Sequence, residues 1–257
     1  MRKLAGIILL ITAAAGILVV VMVQPVWAAK PFSLPNVNLT LSGGTTEPEK
    51  IQSLIQLVIL LTILTLAPAI LLMVTSFTRV VIVLSLVRNA MGTQQMPPNQ
   101  VIVGLALFLT FFIMSPVISR VNTEALTPYY EEQISGETAM DRAVVPVKEF
   151  MLRQVREKDL ALFMKISGEE RAAKPEDVSL SALVPAFVIS ELKTAFQIGF
   201  MIYLPFLILD MVVASVLLSM GMMMLPPIMV SLPFKLLLFV LVDGWHLIVG
   251  SLVKSFH

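Results

Sequence analysis

Glu191, Lys193, Asp210, Lys235, Asp243 and His246 are the residues with the means to do chemistry, because each interrupts a long apolar run. Carboxylates and ammonium groups in such settings relay protons, hold an ion, or neutralise one another. A charge at the centre of a membrane helix costs about 2.5–3.5 kcal/mol to insert. Such groups therefore pair or face a bundle interior or a water-filled path. His246 follows Asp243 by three residues, about one helical turn, which favours a packed polar contact over catalysis. The chain has 2 histidines, His246 and His257, and neither has a nucleophile or metal ligand at a useful spacing. It has 0 cysteines, so no disulfide framework, thiolate metal site or cysteine nucleophile is available. Its Gly-Gly and Gly-Thr steps are not followed by Lys-Ser or Lys-Thr, so a phosphate-binding loop is absent from the sequence. No basic block is long enough to suggest nucleic acid. These residues predict no enzyme, cofactor or metal site.

The elements that position these groups are apolar. Hydrophobic residues make up 57% of the 257-residue chain and charged residues 14%, against about 25% charged in soluble domains. Mean hydropathy is +0.91. A soluble core of this size cannot hide so much apolar surface, so lipid or a large complex must cover the rest. Four apolar stretches follow the N-terminal region, at residues 51–74, 101–117, 183–220 and 228–253. They are apolar on all sides rather than alternating, which predicts helices and not barrel strands. The fold class expected is all-α. The third stretch would be roughly 57 Å long at about 1.5 Å per residue, against a bilayer core of about 30 Å. Either it breaks, with Pro205 the candidate position, or much of it lies against protein.

A turn of sequence Gly221-Met222-Met223-Met224-Leu225-Pro226-Pro227 joins the last two stretches. If they fold back about the centre of Met222 and Met223, Asp210 lies opposite Lys235 and Glu191 opposite Lys254. Two opposite-charge pairs at matched depth predict neutralisation within the hairpin or between neighbouring copies, with a packing role preferred over a proton relay. The methionines have two readings. Methionine is soft and unbranched and fills irregular gaps in a core. On a loop projecting into a channel, it would make a deformable seal that yields to a passing chain.

Residues 120–182 are polar, with nine Lys or Arg and twelve Asp or Glu, a net charge of −3. Apolar residues recur at Val147, Phe150, Met151, Val155, Leu160, Phe163 and Met164, which predicts an amphipathic helix pair. Within it, Glu149 and Arg153 stand four apart and can pair along one turn. Gly168 and Pro175 end that pattern before Asp177 or Ser179 starts the next helix. Residues 75–100 contain Arg79 and Arg88 and no acid, and read as a loop. The excess of basic residues puts that loop in the cytoplasm and residues 120–182 outside. At the N-terminus, Arg2 and Lys3 precede an uncharged run over residues 4–23, and Val26-Trp27-Ala28 offers a cleavage site before Ala29. That pattern reads as a signal peptide, with an uncleaved anchor as the alternative.

Three longer segments carry a family resemblance. Residues 185–200 (PAFVISELKTAFQIGF) and 232–245 (LPFKLLLFVLVDGW) resemble signatures of the FliP family of flagellar export proteins and its type III secretion relatives. TSFTR at 75–79, RNAMG at 88–92 and MPPNQ at 96–100 are similar too. The resemblance covers about residue 54 to the C-terminus. It implies a protein-export gate subunit that assembles with other copies and with FliQ-like, FliR-like, FlhB-like and FlhA-like subunits in the inner membrane of the flagellar basal body. Unfolded secreted protein would be the cargo, and lipid would cover part of the surface. It implies a gate at Gly221, Met222, Met223 and Met224 and an intersubunit charge pair at Asp210 and Lys235. Glu191, Lys193, Asp243 and His246 remain for polar packing or intersubunit contacts. The domain plan is a leader (1–28), a flexible start (29–50), an apolar helical region with its cytoplasmic loop (51–119), a periplasmic helical segment (120–182) and a second hairpin (183–257). The alternative is a stand-alone ion-coupled transporter using Glu191, Asp210 and Asp243, but the internal repeats such a transporter is expected to have are not evident.

Overall fold

A computed structural model describes residues 47–93, 96–168, 177–222 and 224–256. The leader, residues 29–46 of the flexible start, Pro175, Met223 and His257 lie outside the described residues. The chain divides into two units, residues 1–62 and 63–257. In the first, the described residues belong to α1, Glu47–Met73, which continues into the second. Helix α1 therefore takes in the last four residues assigned to the flexible start. Most of its described apolar side chains are exposed, with Leu64 at 68%.

The second unit is built of helices joined by short turns, with no strand among its described residues. Helix α2 spans Phe77–Ala90 and α3 spans Asn99–Val121. A π-turn at Asn122–Leu126 carries α3 on into α4, Thr127–Tyr130. Helix α5 is Gly136–Gln154, α6 Glu157–Ser167, α7 Leu180–Ser219, α8 Pro227–Leu241 and α9 Gly244–Lys254. Among the described residues, three helices are long and apolar enough to cross a membrane, or four if α8 and α9 count as one bent span.

The helix ends follow local chemistry. The Ser135 hydroxyl accepts from the Thr138 N–H at the start of α5, and Ser179 accepts from the Ala182 N–H at the start of α7. Gly168 closes α6 in the left-handed conformation.

Three expectations change. Residues 77–90 form a buried helix and not a loop. Val80, Val83, Leu84 and Val87 are wholly buried there, and they recur at the spacing of one helix face. The helix that carries the second apolar stretch, residues 101–117, runs on across the division placed at 119/120, from Asn99 to Tyr130. Finally, α7 is one helix of 40 residues that passes through both Pro185 and Pro205. Each proline removes a single backbone N–H, and the bonds on either side carry the helix past it.

Helix α2 is the centre of the core. With α3 and α7 it buries Val83, Leu84, Ile102, Ala106, Leu183 and Phe187. The approach of α2 to α7 is close at Gly199, where an added Cβ would lie 2.2 Å from Leu86 Cδ1 and 3.1 Å from Leu86 Cβ. Helices α5, α6, α8 and α9 pack round this centre and bring Phe150, Phe239, Ile248 and Leu252 into it.

Candidate functional site

The tip of the α7–α8 hairpin is built by backbone hydrogen bonds. Gly221 takes φ +75°, a left-handed value that a Cβ disfavours. Its N–H donates to Leu218 O at 3.0 Å, and the Met222 N–H donates to Leu217 O at 3.0 Å. This pair of bonds satisfies carbonyls that the helix end would otherwise leave open. Pro226 and Pro227 start α8, where a missing N–H costs nothing. Of the described methionines of the turn, Met224 stands clear of the fold and Met222 is partly covered. Met224 is 98% exposed and Met222 41%. Met220, Leu225 and Met229 are exposed beside them.

Below the tip, Asp210 on α7 meets Lys235 on α8, with Lys235 Nζ 2.6 Å from Asp210 Oδ2. Ser231 donates its hydroxyl to the other carboxylate oxygen. Lys235 and Ser231 are buried and Asp210 is partly covered. A Cβ on Gly92, in the segment after α2, would lie 3.9 Å from Lys235 Nζ. The pair is thus walled by the α2–α3 connection.

Glu191 does not meet Lys254. Its partner is Arg79 on α2, through a two-pronged contact in which Nε donates to Oε2 at 2.9 Å and Nη2 donates to Oε1. Both side chains are buried. The predicted match fails because the hairpin register ends at residue 242. There α9 turns 63° away from α8, carrying Lys254 off the face of α7. Asp243 sits at the bend with φ +50°, and a Cβ on Gly244 would lie 2.4 Å from the Phe239 ring.

Arg79 reaches further. Its Nη1 donates to Ser255 O at 2.9 Å and to Ser255 Oγ at 3.0 Å, and Nη2 donates to Gln154 Oε1 at 3.0 Å. Gln154 in turn donates to Phe256 O at 3.1 Å. The guanidinium carbon lies 3.8 Å from the centre of the Phe256 ring, a distance favourable for a cation over an aromatic face. Phe256 stacks on Phe150 at 6.2 Å between ring centres.

One step along α7, the Ser190 hydroxyl accepts from the Arg156 N–H at 3.1 Å and donates to Asp159 Oδ2 at 2.7 Å. This pins the α5–α6 corner to the long helix. Within the C-terminal half of α5, Glu149 meets Arg120 at 2.5 Å, and Arg120 also holds Glu124 at 2.9 Å. Arg153 is 3.9 Å from Glu149, its expected partner. The Arg120 hydrogen bond holds the Glu149 carboxyl below the usual carboxylate range, against a smaller opposing effect of partial burial.

Lys193, Asp243 and His246 are exposed. Asp243 and His246 share no hydrogen bond or ion pair. Arg79 was not among the sequence candidates. The signal for it was present: a lone arginine at the head of an apolar run, in a chain with an acid stranded in another. As a buried, paired group it also leaves the 75–100 segment, as a marker of orientation, with Arg88 alone. Arg88 bonds to Asn99 Oδ1 at 2.5 Å and to Pro97 O at 3.3 Å. Among the described residues, no three His, Cys, Asp or Glu side chains gather to hold a metal ion.

Comparison with known proteins decides the family. A FliP family model matches residues 60–252. The chain belongs to the FliP family. It is 61% identical over 213 residues to the flagellar biosynthetic protein FliP of Bacillus subtilis, covering 83% of this chain and 96% of that protein. It is 57% identical over 231 residues to the FliP of Pectobacterium carotovorum, covering 88% and 90%. With the FliP of Aquifex aeolicus it shares 54% identity over 204 residues, covering 79% and 85%. Membership in the FliP family places the chain among flagellar biosynthetic proteins and not among enzymes. Its long apolar helices are those of a membrane-associated protein.

Proposed function

We propose that this chain is a pore-forming subunit of the flagellar protein-export gate, conducting unfolded flagellar subunits across the inner membrane. One observation carries the reading: a methionine-rich turn, backed by a hydrogen-bonded Gly221 cap and two prolines, projects the almost fully exposed Met224 and the partly exposed Met222 from the tip of a 40-residue helix. Core filler would be buried, whereas Met224 is 98% exposed. Several such turns around an axis would exclude ions and water while deforming around a passing chain. Copies of this chain, FliQ-like, FliR-like, FlhB-like and FlhA-like subunits, and lipid would cover the apolar faces of α1, α3, α7 and α8. The signal peptide and the periplasmic placement of residues 120–182 belong to the same reading.

The ionisable groups argue against a stand-alone ion-coupled transporter. Glu191 is locked by Arg79 and Asp210 by Lys235 and Ser231, so neither carboxylate is left lining an open path. The test has two arms. Replacing Met222, Met223 and Met224 with Ala is expected to make cells leak small ions while the complex still assembles. Unchanged leakage with intact assembly removes the seal. Mass measurement of the complex purified in mild detergent is expected to show several copies, and a single-copy particle ends the gate reading.

A further inference from the structure

Helices α7, α8 and α9 and the bend between the last two carry six charged side chains, and the chain itself neutralises three of them. Glu191 is neutralised by Arg79 and Asp210 by Lys235. Lys193 and Asp243 are left over: both are exposed, and neither side chain forms a hydrogen bond or ion pair. Their surroundings are apolar. On α7, Lys193 lies on a face with Ile189, Phe196 and Phe200, exposed at 43%, 58% and 64%. At the α8–α9 bend, Asp243 lies beside Val240, Leu241 and Leu247, exposed at 76%, 75% and 55%. A charge on such a face has no water if lipid or another subunit covers it, and it then needs a partner of opposite sign.

Lys254 is the third unpaired charge of these helices, and it is differently placed. It stands in the last turn of α9, where the free carbonyls at the helix end favour a cation. Lys193 is in the middle of a 40-residue helix and has no such help.

We propose that Lys193 of one copy and Asp243 of the next form an intersubunit ion pair. The proposal rests on the multi-copy gate reading. The charge complementarity lies within one chain, which offers one cation on α7 and one anion at the α8–α9 bend, each in an apolar surround. A head-to-tail contact repeated from copy to copy gives each Lys193 an Asp243 and each Asp243 a Lys193. Head-to-tail contacts generate rings or helical stacks, the arrangement a shared passage requires.

Because the natural sequence contains 0 cysteines, cross-linking reads the contact directly. One copy carries Lys193→Cys and one tag, and a second carries Asp243→Cys and another tag. Both are produced together with the complete set of export subunits, and a third copy with Lys254→Cys serves as the rival. The expected result is a cross-linked species bearing both tags for the 193–243 combination, and little for 254–243. Two copies that co-purify without that cross-link, or that join 254 to 243 instead, overturn the pairing and leave the multi-copy reading intact. Copies that do not co-purify overturn both. The charge-swap arm uses assembly as its readout. Lys193→Asp and Asp243→Lys are each expected to reduce assembled complex roughly tenfold, as an uncompensated charge in an apolar contact does, and the double swap is expected to restore it. Singles that assemble normally, or a double swap no better than the singles, overturn the proposal. Because both residues are exposed, protease resistance of the isolated variants is expected to match the natural chain.

Discussion

The five N–H donors of Arg79 all find acceptors, on Glu191, Gln154 and Ser255, inside a site closed to solvent. Removing one side of such a pair leaves the other charge buried and alone, at a cost of about 3–5 kcal/mol. Arg79→Met is therefore expected to lower the thermal unfolding midpoint of the detergent-solubilised chain sharply. Adding Glu191→Met is expected to recover much of the loss, because two apolar groups of similar volume need no partner. An additive double mutant would show that the two side chains are not coupled. Glu149 gives a milder effect of known sign. Its native pKa is held low, so its contribution is complete above the unfolded value of about 4.3 and is lost as pH falls through the lower native value. With 41% of its side chain exposed, that contribution is small. The stability gap between the natural chain and Glu149→Gln is expected to close in acid, and a gap that widens there would contradict the pairing with Arg120.

At the scale of elements, two glycines set the geometry of the long helix. Gly199→Ala would drive a Cβ into Leu86, forcing α2 and α7 apart at a cost of about 1–3 kcal/mol. Leu86→Ala is expected to relieve part of that cost, read by the same unfolding measurement. Gly221→Ala meets no neighbouring atom, so its cost comes from the left-handed backbone alone, about 1–2 kcal/mol. It is expected to loosen the turn while leaving α7 and α8 helical by circular dichroism.

The helical class, the long third stretch and the Asp210–Lys235 register could be read from sequence, because apolar runs and a two-helix hairpin obey simple periodicities. The bend at Asp243 could not. It depends on a left-handed non-glycine residue and on Phe239 packing against the Gly244 backbone, and neither leaves a periodic mark. The same bend misdirected the Glu191 pairing. Helix α2 was hidden for a different reason. Its two arginines resemble loop charges until Arg79 is seen to be buried, and only a search for the cation owed to Glu191 would have exposed it.

For the whole molecule, the long rod α7 matters most. It is fixed near Ser190, where the α5–α6 corner is bonded to it, and its far end carries the methionines. From residue 190 to residue 219 is roughly 44 Å at about 1.5 Å per residue. Ser190→Ala, which leaves the Arg156 N–H without its acceptor, is expected to change ion leakage through the assembled complex although it lies far from the turn. Unaltered leakage would mean that the corner and the tip move independently. Over that length a tilt of only one degree at the anchored corner sweeps the tip sideways by ~0.8 Å, so ten degrees would exceed the width of a methionine side chain. In the gate proposed above, a stiff lever of this kind would let small rearrangements at the anchored corner open or shut an aperture that they never touch.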